Sequence, residues 1–258
     1  MPVFTDQLQR KIALSSPPKR IVSVVPSQTE LLYDLGLEKE VIGITKFCIH
    51  PQEWFKNKTR VGGTKTLHLD KIRQLQPDLI IANKEENTRE QIEALAQEFP
   101  VYISDINNLD ESLAMILQLG EITGRLPQAK KISEYIQQGF RQLAPMARPK
   151  KALYLIWKDP YMVAGTDTFI QDMLQRCGFE NLASGRYPSL ETSEIATLKP
   201  EWILLSSEPY PFKEKHIQEL QEIAPEAKIL LVDGEYFSWY GSRLQGAPNY
   251  FQQIISEA

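Results

Sequence analysis

One supersecondary unit is spelled twice in this chain, roughly 120 residues apart. Residues 70–81 run Asp-Lys-Ile-Arg-Gln-Leu-Gln-Pro-Asp-Leu-Ile-Ile, and residues 193–205 run Ser-Glu-Ile-Ala-Thr-Leu-Lys-Pro-Glu-Trp-Ile-Leu-Leu. Both contain Ile-x-x-Leu-x-Pro-acid-x-Ile. The apolar pair three residues apart predicts a short amphipathic helix, and the proline, lacking an N–H, stops it. The apolar run that follows predicts a buried strand. The same unit in both halves of 258 residues predicts two similar lobes, each of ordinary domain size, with a cleft between them.

Around the repeat, apolar runs alternate with helical patterns, which predicts parallel sheets with crossover helices. Arg20–Pro26, Val41–Ile44, Leu79–Ala82 and Val101–Ser104 read as strands, with a helix over 88–98. Ser27-Gln-Thr-Glu30 has the spelling of a capping box, and Gly36 ends the helix it opens. A stripe of Ala129, Ile132, Ile136, Phe140 and Leu143 predicts one long helix ending in the Pro145 and Pro149 segment. After it the alternation restarts: strand Ala152–Trp157, a helix near Thr168–Arg176, strand Ile203–Ser206, helix 213–223, strand Ile229–Val232 and helix 246–257. The expected organisation is an N-terminal lobe over 1–124, a connecting helix over 125–147 and a C-terminal lobe over 148–258.

Composition excludes several function classes. A net charge of −4 without a long basic run argues against nucleic acid as a partner. The longest apolar stretches are strand-length, so no membrane insertion is expected. Residues 1–11 lack an apolar signal core and a lipidated cysteine. The N-terminus so read predicts a cytoplasmic protein, or a mature form from which a leader has been removed. Cys48 and Cys177 lie one in each half and are expected to be free thiols.

No P-loop, G-x-G-x-x-G, G-x-S-x-G or H-E-x-x-H spelling occurs, so no enzyme activity is expected. Of the histidines, His50 stands out because it follows strand 41–44, where β/α proteins bind ligands. Aromatic residues gather after the strands of the second half. Glu235-Tyr-Phe-Ser-Trp-Tyr-Gly-Ser-Arg243 follows strand 229–232, and Trp157, Tyr161, Arg186 and Tyr187 sit in nearby loops. Each ring taken singly reads as packing under a loop, whereas together they suit the wall of a small-molecule pocket.

These residues resemble a family. Arg20-Ile-Val-Ser-Val-Val-Pro-Ser-Gln-Thr-Glu-Leu-Leu with Gly36, Val41-Ile-Gly-Ile, Pro51, Val61-Gly-Gly, Leu75-x-Pro77-Asp-Leu-Ile-Ile, Ala164-Gly and Cys177-Gly-Phe-Glu-Asn181 occur in order. Together they resemble the helical-backbone class of ABC-transporter substrate-binding proteins, the cobalamin and iron-siderophore receptors, and among these the cobalamin receptors most. The resemblance implies two β/α lobes joined by one long helix, a shallow cleft, and binding without chemistry. It also implies a periplasmic or membrane-anchored extracytoplasmic location, a monomer, and an ABC permease as partner. The implied ligand is a corrinoid or ferric chelate; no separate cofactor or metal site is expected.

Carried over residue by residue, the family's ligand aromatics fall at Phe47, Tyr161, Tyr187 beside Pro188, Tyr236 and Phe237, with its acid at Glu235. Its tryptophan after Val61-Gly-Gly falls at Thr64. The expected ligand-binding set is therefore Phe47, His50, Trp157, Tyr161, Tyr187, Glu235, Tyr236, Phe237, Trp239 and Arg243. The family's docking glutamates, one per lobe at the start of the repeated helix, fall at Asp70 and Ser193, with Glu194 one residue later. Asp70 and Glu194 are the expected transporter-docking acids. Two other functions compete: a cytoplasmic protein on this scaffold that binds or senses a cofactor, and a bare metal-ion receptor using His50, His68, Asp70 and Glu235.

Overall fold

The structure, a computed structural model that describes residues 2–257, divides into two compact units. Unit 1 comprises residues up to Ile106, Asp110–Ile136 and the short segment Tyr240–Arg243. Unit 2 comprises Asn107–Leu109, Gln137–Trp239 and the residues from Leu244 onward.

Unit 1 opens with a two-stranded hairpin, β1 (Val3–Thr5) and β2 (Lys11–Ala13). Its main sheet holds β3 (Ile21–Ser23), β4 (Val41–Ile44), β5 (Thr59–Arg60), β6 (Leu79–Asn83) and β7 (Val101–Ser104), all parallel, in the order β5-β4-β3-β6-β7. Strands β3, β6 and β7 are buried at every residue, as expected when helices cover both faces of a parallel sheet. The crossovers are α1 (Pro26–Asp34), α2 (Gln52–Asn57), α3 (Leu69–Leu75) and α4 (Arg89–Ala96). The chain leaves β3 toward one edge and returns through β6 toward the other. The carboxyl ends of β3 and β6 thus form the topological switch point of this sheet.

The hairpin's turn reaches the outer edge of β7. Asp6, fully buried, accepts from the Ile103 N–H at 3.3 Å and pairs with Arg10 at 2.9 Å. Arg10 in turn donates to the Val101 carbonyl at 2.7 Å, and Gln7 accepts from the Asp105 N–H at 3.0 Å. Two helices follow, α5 (Leu109–Ile122) and α6 (Leu126–Gln142). Ala129, Ile132, Ile136 and Phe140 of α6 are all buried, so the apolar stripe in the sequence is its packed face.

Unit 2 is built on β8 (Lys150–Trp157), β9 (Tyr161–Val163), β10 (Phe179–Asn181), β11 (Ser189–Leu190), β12 (Trp202–Ser206) and β13 (Lys228–Val232). Its sheet runs β11-β9-β8-β12-β13, with β10 also paired to β8. Strands β8, β10, β12 and β13 are parallel; β9 and β11 are antiparallel additions. Helices α7 (Phe169–Cys177), α8 (Thr192–Leu198), α9 (Glu214–Ile223), α10 (Gly234–Ser238) and α11 (Ala247–Ser256) complete it. Leu153, Leu155, Ile203 and Leu205 pack with Ile195 and Leu220 as its core.

The repeated sequence folds alike in both units. Helices α3 and α8 each end on a residue in the left-handed region, Gln76 (φ 45°) and Lys199 (φ 47°), directly before the proline. The acid after the proline then binds the first residues of the neighbouring strand. Asp78 accepts from the Lys19 and Arg20 N–H groups at 2.8 Å, and Glu201 from the Lys151 N–H at 3.1 Å. The Asp78 and Glu201 N–H groups return the bond to the carbonyls of Arg20 and Lys151, each at 2.9 Å. The proline–acid pair is therefore a strand-pairing device as well as a helix stop.

One local expectation is corrected. Helix α1 starts at Pro26 with Val25 as N-cap, so Ser27 lies inside the first turn and caps nothing. The fixed φ of proline suits it to the first helical position, which moves the start one residue ahead of the predicted box. Glu30 is thereby released for another partner.

Candidate functional site

In unit 1, the loop after β4 presents Phe47, 51% exposed, and Ile49, 42% exposed. The loop is held from below. Thr45 and Cys48 bond each other at 3.1 Å, Thr29 donates to the Cys48 sulfur at 3.1 Å, and the Phe47 N–H donates to Thr45 Oγ1 at 3.3 Å. Burial pushes the Cys48 thiol up, so it stays protonated and acts as a packing group. Lys46 sits over the Phe47 ring at 5.0 Å. Gly63 passes beneath the same ring, where an added Cβ would meet Phe47 at 3.2 Å. Beyond β6, Asn83 and Asn87 organise the loop through buried bonds: Asn83 accepts from the Glu85 and Glu86 N–H groups, and Asn87 donates to Val24 and Thr64. Thr64 is buried at 8% exposure, its carbonyl spent on Asn87, and it adds no stacking face.

Glu30 of α1 and Arg243 form a two-pronged ion pair at 2.7 and 2.9 Å, both side chains less than a fifth exposed. Burial raises the Glu30 carboxyl while the guanidinium beside it lowers it, and the net direction is up. Asp34, one turn on, is likewise raised by burial against a bond from Ser242. His50 is half-buried and lies close enough to Glu30 to lower its pKa slightly.

In unit 2, the carboxyl ends of β8, β12 and β13 carry the aromatic residues. Trp157, 41% exposed, ends β8 and meets Tyr210 edge-on at 5.7 Å. Tyr161 begins β9, half-buried, and Arg186 lies over the Tyr187 ring at 5.8 Å. Tyr236 stacks on Tyr250 at 4.7 Å with 23° between the rings. Phe237 is fully buried among Tyr154, Tyr250 and Phe251, beneath the loop surface. Trp239 is 6% exposed, and its indole N–H donates to Glu208 at 2.8 Å. Glu235 lies in the first turn of α10, whose start is capped by Asp233 at 3.1 Å.

Glu208 and Tyr210 are the two residues of this face that sequence reasoning passed over. They lie in Ser207-Glu-Pro-Tyr-Pro211, immediately after β12. The strand-end rule that singled out 235–243 applies equally there. One Glu208 oxygen accepts from both Ser238 Oγ at 2.7 Å and Trp239 Nε1 at 2.8 Å. Burial drives this carboxyl above its ordinary range, with Glu235 and Asp233 pushing the same way and the two donors opposing. Gly234 permits the arrangement, since a Cβ there would come within 2.3 Å of Ser206 Oγ and 2.9 Å of Glu208 Cγ.

The two helix starts carrying the expected docking acids differ. Asp70 is the second residue of α3, its side chain 91% exposed and bonded to Arg73 at 2.8 Å. Ser193 holds the same position in α8. Glu194 is exposed but folds back to accept from the Glu191 N–H at 2.7 Å, closing a capping box. His68 caps α3 without a side-chain bond. Among the described residues, no group of three or more His, Cys, Asp or Glu side chains is arranged to hold a metal ion. Both cysteines are free and buried.

A model of the family described as periplasmic binding protein matches residues 21–226, most of the chain. The chain belongs to the periplasmic binding protein family. Its curated relatives include a vitamin B12-binding protein of Pectobacterium carotovorum, 26% identical over 249 residues, covering 93% of this chain and 88% of the relative. Another, from Pectobacterium atrosepticum, is 25% identical over 252 residues with the same coverage. Solved structures share the fold. The periplasmic vitamin B12 binding protein BtuF of Vibrio cholerae has a TM-score of 0.79 at 21% identity, over 94% of this chain and 99% of that one. A periplasmic heme binding protein from Pseudomonas aeruginosa has a TM-score of 0.81 at 21% identity, over 93% and 94%. The expected α/β fold of two lobes with mostly parallel sheets is the one observed. As a periplasmic binding protein, the chain captures a solute and performs no chemistry on it. No helix among the described residues is long and apolar enough to cross a membrane.

Proposed function

We propose that this periplasmic binding protein captures a large, flat metal chelate, a corrinoid or an iron-bearing macrocycle or siderophore, outside the cytoplasm and passes it to an ABC importer. The observation that carries the reading is the exposure of Phe47 and Trp157, two large rings offered to solvent, one on the loop after β4 and one at the last residue of β8. An exposed ring that is nonetheless braced from below suits stacking on an extended ligand face. Phe47 is braced by Lys46 and Gly63, and Trp157 by Tyr210. The names of the relatives support this chemistry, since they bind vitamin B12 or heme.

Of the expected ligand residues, Phe47, Trp157, Tyr161 and Tyr187 are put forward as ring contacts, with His50, Glu235 and Tyr236 as their neighbours. Phe237, Trp239 and Arg243 support the loops through packing and bonds to partners within their own units. The lobe boundaries at 124 and 148, with α6 as the connection, form part of the same reading. So do a monomeric state and docking of an ABC permease through Asp70 and Glu194. The family match favours an extracytoplasmic location over the cytoplasmic alternative.

Titration of the purified protein with vitamin B12, cobinamide, haem and a set of ferric siderophores, followed by tryptophan fluorescence, tests the proposal. Saturable quenching by at least one chelate is expected. Failure of every chelate to bind more tightly than about 100 μM, roughly −5.5 kcal/mol, would sink it.

A further inference from the structure

The loop after β12 holds a hydrogen-bond relay whose polarity is fixed by geometry. Lys213, the N-cap of α9, donates its backbone N–H to His216 Nδ1 at 2.8 Å. A neutral imidazole that accepts at Nδ1 carries its proton on Nε2. That Nε2 lies 3.3 Å from the Tyr210 hydroxyl oxygen, so the imidazole donates and the phenol accepts. The hydroxyl's own proton is thereby turned away from the ring, and the hydroxyl has no other hydrogen-bond partner among the described residues. Tyr210 is itself firmly placed. Its N–H bonds the Ile156 carbonyl at 3.3 Å, and its ring meets Phe212 at 4.8 Å and exposed Trp157 at 5.7 Å.

We propose that Tyr210 contacts the ligand, donating its hydroxyl proton to an acceptor oxygen on the rim of the bound chelate, and that His216 is the positioning residue that aims it. The inference rests on the proposed function, because it places this donor beside the Trp157 stacking face. The rim oxygen is either an amide carbonyl, as on vitamin B12, or a carboxylate, as on haem. His216 is 2% exposed. Burial holds its pKa below the usual histidine value, Lys158 just after β8 acts in the same direction, Glu219 of its own helix opposes, and Lys215 adds a further positive charge. The neutral, relaying form is thus the resting form near neutral pH. Protonation puts an N–H on Nδ1 against the Lys213 N–H, and this clash of two donors displaces the ring and draws Nε2 away from Tyr210.

The test uses the full chain titrated separately with vitamin B12 and with haem, across a pH series from about 7.5 down to about 5, through the range where histidine titrates. Wild-type affinity for the probe that binds is expected to fall severalfold as the pH drops. Tyr210→Phe, which keeps the ring packing, is expected to bind about tenfold more weakly at neutral pH, the size of one hydrogen bond, and to lose the acid step. His216→Asn is expected to lose the acid step as well. Binding by Tyr210→Phe within about twofold of wild type, or an unchanged acid step in that variant, would overturn the proposal while leaving the proposed function standing. Binding of neither probe by the wild type would overturn this proposal, while the proposed function stands or falls on the wider set of chelates. A wild-type affinity that stays constant across the pH series would likewise overturn the proposal, whether or not His216→Asn folds.

Discussion

At Glu208 two opposed effects meet in one side chain. Ser238 and Trp239 donate to it, which favours the ionised form, yet burial beside Glu235 and Asp233 wins, and the carboxyl titrates above the ordinary 4.5. A carboxyl whose folded pKa is raised contributes stability below its unfolded pKa, and that contribution is lost as the pH climbs through the folded value. Glu208→Gln keeps an acceptor for Trp239 and removes the charge. The variant is expected to gain on the wild type by a few degrees in thermal midpoint between about pH 4.5 and pH 8. A difference between the two proteins that stays constant with pH would refute the assignment. Residue types alone could not have revealed this, because a glutamate in a Ser-Glu-Pro loop reads as solvated. Its burial depends on Gly234 and Trp239, which lie 26 and 31 residues further on. The exposed rings are different. Phe47 was placed by the family resemblance, and Trp157 by its position at the end of the apolar run from Ala152.

At the scale of elements, the repeated helix–proline–strand unit was legible almost completely, since its helix period, its stop and its strand are all local signals. What stayed hidden was the geometry at its joint. Gln76 and Lys199 occupy the left-handed region, which disfavours any residue with a Cβ. Gln76→Gly and Lys199→Gly are each expected to stabilise the protein by about 0.5–1 kcal/mol, read from urea unfolding. A loss of stability in both variants would mean that their side chains contribute more than the backbone costs. Strands β1, β2, β5, β9, β10 and β11 went unseen because two or three residues cannot display a period, whereas β3, equally short, lies inside the longer apolar run Arg20–Pro26. The capping box at Ser27 failed for a related reason: the spelling is four residues long, and a single proline in front of it shifted the helix start.

For the molecule as a whole, the two halves announced themselves through their repetition, but their membership did not follow chain order. Glu30 and Arg243 are 213 positions apart and share one ion pair in unit 1, a pairing that no local pattern encodes. A chelate captured by the folded chain stabilises it by mass action. At about 100 times its dissociation constant, roughly 2.7 kcal/mol is expected, seen as a rise in the melting temperature that grows with ligand concentration. A chelate that quenches fluorescence without raising the melting temperature would be binding non-specifically. The N-terminal hairpin has a bearing on the same question of how the protein survives in solution. Strand β7 ends the parallel sheet of unit 1, and a bare terminal strand offers its backbone to any extended chain that comes near. Here Arg10, Asp6 and Gln7 occupy the outward groups of Val101, Ile103 and Asp105 in succession. A second copy of the protein, approaching that border to extend the sheet, finds those backbone groups already taken by side chains.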